Sequence, residues 1–255
     1  MSTTTTYPSL RDRSVLVTGG GSGIGASIVE HFCAQGARVG FVDVADVPSR
    51  ALVDAIARKG NPAPQFVHCD LRDIAALREA VGAIADAHGP VTVLVNNAAH
   101  DERHKLEDVT PEYWDDRLNV NLRHQFFAAQ AVAEGMKAAG GGSIINFGSV
   151  SWMVGQGGMA AYTAAKSGNL GLTRSLARDL GPYNIRVNSI APGWIMTQRQ
   201  IDLWLTQEGE QELMTRQCLK RKLVPADIAR FVLFLASDDS SAMTNQSYIV
   251  DGGWV

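Results

Sequence analysis

Apolar positions along this chain fall into two kinds of block. Short runs dominated by Val, Ile, Leu and Phe occupy 14–17, 38–42, 65–69, 91–95, 143–147, 185–190 and 247–250. Continuous apolar runs of this length are what strands covered on both faces of a parallel sheet require. Between them, apolar residues recur every three or four positions, the stripe of an amphipathic helix. Ile24, Ile28 and Phe32 form one such stripe, and Ile74, Leu77, Val81 and Ile84 another. A longer one, Trp114, Leu118, Leu122, Phe126 and Ala129, follows Thr110-Pro111-Glu112, a good helix opening. Helices are also predicted at 47–59, 162–180 and 225–236, with a mixed, mainly helical stretch at 198–222. Strand and helix alternate throughout, so the predicted class is α/β: a doubly wound parallel sheet, helices on both faces, ligands at the carboxyl ends of the strands.

Length and composition narrow this further. A chain of 255 residues suits one α/β domain, read here as 10–255 behind a flexible tail, 1–9. A net charge of −3 offers no basic footprint for nucleic acid or an anionic membrane. No apolar run approaches the roughly 18 residues that a membrane helix needs. The threonine-rich start has no positive charge before Arg11 and no hydrophobic core, unlike a secretory signal. Cys33, Cys69 and Cys218 are widely spaced with no Cys-x-x-Cys pair, which reads as reduced thiols in the cytoplasm.

Candidate chemistry gathers where the predicted strands end. The first runs into Thr18 and then Gly19, Ser22, Gly23, Ile24 and Gly25, a strand–glycine turn–helix unit on which a pyrophosphate can sit. Ala26 stands where the lysine of a nucleoside-triphosphate loop would be, which excludes that motif. The second strand ends at Asp43, whose carboxylate can accept from an adenosine ribose 2′-hydroxyl and repels a 2′-phosphate. No Arg or Lys lies in the glycine turn or at 44–46, so the expected cofactor is NAD. The third ends in Asp70-Leu71, where the acid either reaches an adenine amino group or caps the next helix; the fourth runs into Asn96, Asn97, Ala98 and Ala99. His100, Asp101 and His104 lack a second cluster to complete a coordination shell, so no metal is expected. Asn121 falls mid-helix, where its amide competes with backbone hydrogen bonds and calls for a reason. The fifth strand delivers Ser149, and 13 residues later Tyr162 and Lys166 stand at i and i+4, on one helical face. Bringing a phenol from a pKa of about 10 to near 7 requires about 4 kcal/mol. One ammonium at about 4 Å in an effective dielectric of about 20 supplies that order of stabilisation.

In this order and spacing, Thr18-Gly-x-x-x-Gly-x-Gly25, Asp70, Asn96-Asn-Ala-Ala99, Asn121, Ser149, Tyr162-x-x-x-Lys166, Pro192-Gly193 with Thr197, and Asp251-Gly-Gly253 resemble the short-chain dehydrogenase/reductase family from about Leu10 to Val255. The resemblance implies a seven-stranded Rossmann-type domain, usually a homotetramer, that moves hydride between a nicotinamide and an alcohol or carbonyl. It also implies roles: Tyr162 as acid/base, Lys166 lowering its pKa and holding the nicotinamide ribose, Ser149 bonding the reacting oxygen, Asn121 supporting a water that would satisfy its amide. Pro192, Gly193, Ile195 and Thr197 would complete the cofactor site. Ala99 and Asn245 stand where glycine is usual, and asparagine tolerates positive φ better than most residues.

A narrower likeness is to the NAD-dependent D-xylose 1-dehydrogenase type of sugar dehydrogenase. It rests on Tyr7-Pro-Ser-Leu10, Asp101-x-Arg-His-Lys-Leu106, Asn119-Val-Asn-Leu-Arg-His124, Ile145-Asn-Phe-Gly-Ser149 with Ser151-Trp152, and Gln217-Cys-Leu-Lys220. It implies oxidation of an aldose at C1 to its lactone: D-xylose, L-arabinose or a deoxyhexose such as L-fucose. A sugar needs hydrogen-bonding partners and an aromatic face. His100, Arg103, Asn119, Ser151, Trp152, Trp194 and Arg199 are the candidates, with a substrate loop at about 194–222. Rival readings are oxidation of a secondary hydroxyl on a sugar acid or polyol, and a catalytically silent nucleotide-binding protein or scaffold.

Overall fold

All seven apolar runs pair edge to edge as parallel strands. In the computed structural model, which describes residues 5–255, they are β1 (Ser14–Thr18), β2 (Arg38–Asp43), β3 (Gln65–His68), β4 (Val93–Asn96), β5 (Gly142–Phe147), β6 (Ile185–Pro192) and β7 (Ser247–Val250). Their order is β3-β2-β1-β4-β5-β6-β7. The chain winds outward from β1 to β3 and then returns to place β4 on the other side of β1. The order therefore reverses between β1 and β4, and the crevice at their carboxyl ends is where such folds take ligands.

Helices α1 (Gly23–Ala34), α2 (Asp46–Arg58), α3 (Ile74–His88), α4 (Pro111–Leu118), α5 (His124–Ala138), α6 (Ala160–Leu180), α7 (Gln198–Leu203), α8 (Gln207–Arg216) and α9 (Pro225–Ala236) complete the fold. Two apolar clusters form, one on each face of the sheet. On one face α1 lies against α9, joining Ile28, Val29 and Phe32 to Ile228, Ala229, Val232 and Leu233 beneath Val15 and Val17. On the other, Leu77, Val81 and Ile84 of α3 meet Ala128, Val132 and Met136 of α5 and Leu176 of α6.

Four local outcomes differ from the sequence pattern or refine it. The long helix predicted after Thr110 is interrupted at Asn119–Arg123 by a π turn. One extra residue in a turn rotates everything after it by roughly 100°. The buried face of α5 consequently carries His124, Gln125, Ala128 and Ala129, while Phe126 of the predicted stripe stands 41% exposed; Trp114, ahead of the turn, is 37% exposed. Asp70 does not cap α3. That task falls to Asp73, which accepts from the backbone N–H of Ala75 and Ala76, leaving Asp70 to Arg72. The 198–222 stretch divides into α7 and α8, capped by Thr197 and Thr206, followed by extended chain. Of the expected tail, 1–4 lie outside the described residues, whereas Tyr7 N–H donates to Gln35 Oε1 at 2.8 Å and Leu10 is fully buried.

Candidate active site

The glycine turn after β1 is shaped by close backbone approach. Gly19 and Gly23 hold φ of 65° and 56°, the left-handed region that favours glycine. A Cβ on Gly25 would stand 1.9 Å from Gly19 O, and one on Gly21 would meet Ser49 Oγ at 2.3 Å. The turn is braced from β4: Asn97 Nδ2 donates to Thr18 O and Gly19 O at 3.0 and 2.9 Å, and Ala98 N–H donates to Thr18 Oγ1. Ser22 opens α1 without bonding its side chain to the first turn, so the helix N-terminus keeps free donors facing the crevice. Ile24 packs against the core below, and Thr197 leans its methyl toward Gly23.

Asp43 ends β2 with Oδ2 accepting from Gly21 N–H at 2.8 Å and Oδ1 accepting from Ala45 N–H at 3.0 Å. A carboxylate has about four acceptor positions, so capacity remains for a ribose hydroxyl. Asp70 is held below the ordinary carboxylate range, first by hydrogen bonding to Arg72, and Leu71 is buried beside it. Pro192 closes β6, Gly193 follows where a Cβ would strike Asp251 Cα at 2.7 Å, and Ile195 is buried in a bridge to Leu223. Ala99 is exposed, and Asn245 takes φ of 65°, as expected of a glycine substitute. A pyrophosphate cradle, an open helix N-terminus and a lone acid at the end of β2 fit a nicotinamide dinucleotide.

Ser149, at the end of β5, is 9% exposed and accepts from Ser151 N–H at 3.1 Å. Tyr162 and Lys166 leave one face of α6, with Nζ 5.6 Å from the Tyr162 ring centroid. Lys166 is 2% exposed and donates to Phe147 O at 2.8 Å. Burial pushes Tyr162 up, the Asp101 charge adds to that, and only the facing Ser149 hydroxyl acts the other way. Burial also brings Lys166 down to about 7, opposed by Asp101. The amine therefore sits between its charged and neutral forms near neutral pH, and its help to the phenol comes only with the charged form.

The reason for Asn121 is also local. In the π turn its Oδ1 accepts from His100 N–H at 2.9 Å, and its Nδ2 donates to His100 O and Arg117 O at 3.1 and 2.9 Å. Both N–H groups of the amide and its oxygen thus have protein partners. Arg117 Nη1 also donates to His100 Nδ1 at 2.6 Å. Since guanidinium only donates, that nitrogen is the acceptor, and the neutral ring carries its proton on Nε2. Burial first, then Arg117 and Arg199, push His100 below the usual histidine range.

The remaining candidates surround this centre unevenly. Ser151 is buried with its Oγ unpartnered, and Trp152 is 36% exposed beside it. Trp194 Nε1 donates to Gln200 Oε1 at 2.9 Å, and Arg199 Nε donates to Asp101 Oδ1 at 3.2 Å. Arg103 lies 4.1 Å from the Trp204 ring centroid, which commits its cation to packing. Asn119 begins the π turn. Sequence reasoning missed a buried polar layer beneath the pair. Asn96 Nδ2 donates to Asn146 Oδ1, Asn146 Nδ2 to Thr173 Oγ1, Asn169 Nδ2 to Gln125 Oε1, and Ser189 Oγ to Asn169 Oδ1. Fully buried His124 is kept neutral by burial and by Lys166, which bring it down to about 3. The layer's signal was Asn169 and Thr173 at i and i+4 of α6, in line with buried Ala165 and Leu176.

The family model described as enoyl-(acyl carrier protein) reductase matches residues 19–255. A structure described as a short-chain type dehydrogenase/reductase from Mycobacterium ulcerans superposes with a TM-score of 0.91 at 29% identity, covering 98% of this chain and 91% of that one. With this fold, the Ser149, Tyr162 and Lys166 arrangement and the glycine turn, the chain belongs to the short-chain dehydrogenase/reductase family, oxidoreductases that use a nicotinamide cofactor. Two relatives are similar over nearly their whole lengths. A probable galactose dehydrogenase of Rhizobium meliloti is 55% identical, covering 97% of this chain and 96% of the relative. A D-xylose 1-dehydrogenase of Caulobacter vibrioides is 52% identical, covering 97% and 98%.

Proposed function

We propose that the chain oxidises an aldose, a pentose or a related deoxyhexose, at C1 to its lactone, with NAD as acceptor. The observation that carries this is the Ser149 hydroxyl facing Tyr162 at the carboxyl end of the sheet, with partly exposed Trp152 offering an aromatic face and His100 a proton on Nε2. Both curated relatives carry the names of aldose dehydrogenases, which supports it.

In this reading Ser149 holds the anomeric oxygen against Tyr162. The phenolate takes the hydroxyl proton while the C1 hydrogen leaves with its electron pair, so C1 and its oxygen become the lactone carbonyl. Bound at the crevice, the nicotinamide supplies the hydride acceptor. Lys166 in its charged form steadies the developing phenolate, and Asn121 fixes His100 and Arg117 through its amide. Asp43 favours NAD because a 2′-phosphate would approach its carboxylate; Arg72, the basic side chain beyond β3, is tied to Asp70 and Asp116. Half-exposed Trp114 and Phe126 support assembly into a homotetramer, and free Cys33, Cys69 and Cys218 are compatible with the cytoplasm.

The test is a panel of free aldoses offered with NAD or NADP, followed by nicotinamide absorbance. Reduction of NAD with a pentose or hexose and lactone as product is expected. No turnover with any aldose sinks the substrate assignment, and equal rates with both nucleotides sink the cofactor assignment. Asp43→Ala should narrow the gap between the two nucleotides.

A further inference from the structure

Asp101 follows β4 by five residues, at the carboxyl end of the sheet. It is the point at which the site is tied to the separate arm formed by α7 and α8. Its Oδ2 accepts from Gln200 Nε2 at 2.6 Å, and its Oδ1 accepts from Arg199 Nε at 3.2 Å. Gln200 in turn accepts from Trp194 Nε1, so one carboxylate, through one amide, also fixes the indole that precedes the arm. Two residues further along the same loop, Arg103 stacks on Trp204 at the end of α7. The Asp101 side chain is only 21% exposed, a setting in which a charged hydrogen bond counts for more than at the surface.

The arm otherwise has little to hold it down. In α7 no residue is buried, and Ile201 and Leu203 stand 42% and 53% exposed. Of α8 only Leu213 is buried. An element with so few buried apolar contacts opens at low cost unless polar contacts hold it.

We propose that Asp101 is a positioning residue of this site: through Gln200 and Arg199 its carboxylate latches the α7–α8 arm, and with it Trp194, to the loop that leaves β4. The latch does not depend on the identity of the substrate. The charged groups at the carboxylate are Arg199 on α7 and, beside it, His100 with Arg117 of α4 and Glu102 against that ring.

Three variants grade the latch. Asp101→Asn keeps an acceptor for Gln200; Gln200→Ala removes the main latch bond; Asp101→Ala removes the whole latch. One readout needs no turnover: hydrogen exchange of 198–216. Exchange there should rise several-fold in Gln200→Ala and Asp101→Ala and by less in Asp101→Asn. With a turned-over alcohol, Asp101→Ala should raise KM more than it lowers kcat. Exchange as in the parent protein in Asp101→Ala overturns the proposal. If every aldose fails while exchange rises, the sugar assignment falls and the latch stands.

Discussion

A phenol and an amine four residues apart acquire opposite burdens in this protein, and the amine's is the easier to measure. Lys166, brought down to about 7 by burial, binds fewer protons folded than unfolded between pH 7 and about 10. Because the unfolded chain binds more protons in that window, stability gained from this group rises with pH, and below pH 7 the full cost of burying the charge is in place. Lys166→Met removes this dependence, apart from a constant loss of the hydrogen bond to Phe147 O. The stability difference between variant and parent should therefore change by up to ~1.4 kcal/mol per pH unit from 7 to 10, read by denaturant unfolding at several pH values. A flat difference would mean that Lys166 keeps its solution pKa. Tyr162→Phe should lower turnover by about 10²- to 10⁴-fold while nucleotide binding, followed by fluorescence quenching, persists. Such residue identities were legible because each answers to chemistry at a fixed spacing. Their protonation was not, since burial depends on neighbours far along the chain, Asp101 among them.

Elements were legible wherever the hydrophobic period ran unbroken. All seven strands and the stripe of α3 fall where the pattern places them, and Gly25 lies where the turn needs its backbone. The pattern failed at the π turn, because one inserted residue leaves no mark on composition yet turns α5 about its axis. Polar His124 and Gln125 were thereby buried, while the apolar Phe126 remained outside. For Asp70 the sequence leaves two roles open, and the geometry of the loop gives the α3 cap to Asp73. Asp73→Ala should lower stability by about 1 kcal/mol and leave turnover unaltered. Asp70→Ala should instead leave Arg72 paired with Asp116 of α4 alone, with little effect on stability. Gly25→Ala places a methyl into Gly19 O and should destabilise the fold by about 1–3 kcal/mol while abolishing nucleotide binding, as thermal melts with and without nucleotide would reveal.

For the whole molecule, the apolar residues left outside α4 and α5 bear on assembly. Phe126→Glu should split the proposed oligomer into smaller species in sedimentation velocity without unfolding them; a parent protein already monomeric would remove that proposal. The contact of α1 with α9 has a consequence for biosynthesis. Strands β1 to β4 can pair among themselves as soon as they emerge from the ribosome, yet Ile28 and Phe32 wait for Ile228, Val232 and Leu233, made roughly two hundred residues later. At about 5–20 residues per second, one side of the nascent sheet stays greasy for about ten seconds or longer. A message broken before codon 225 would release a chain whose sheet is largely complete and whose first helix is bare. Such fragments are natural clients for chaperones and natural seeds for inclusion bodies, so expression yield should depend on translation of the last helix more than on any residue in the pocket.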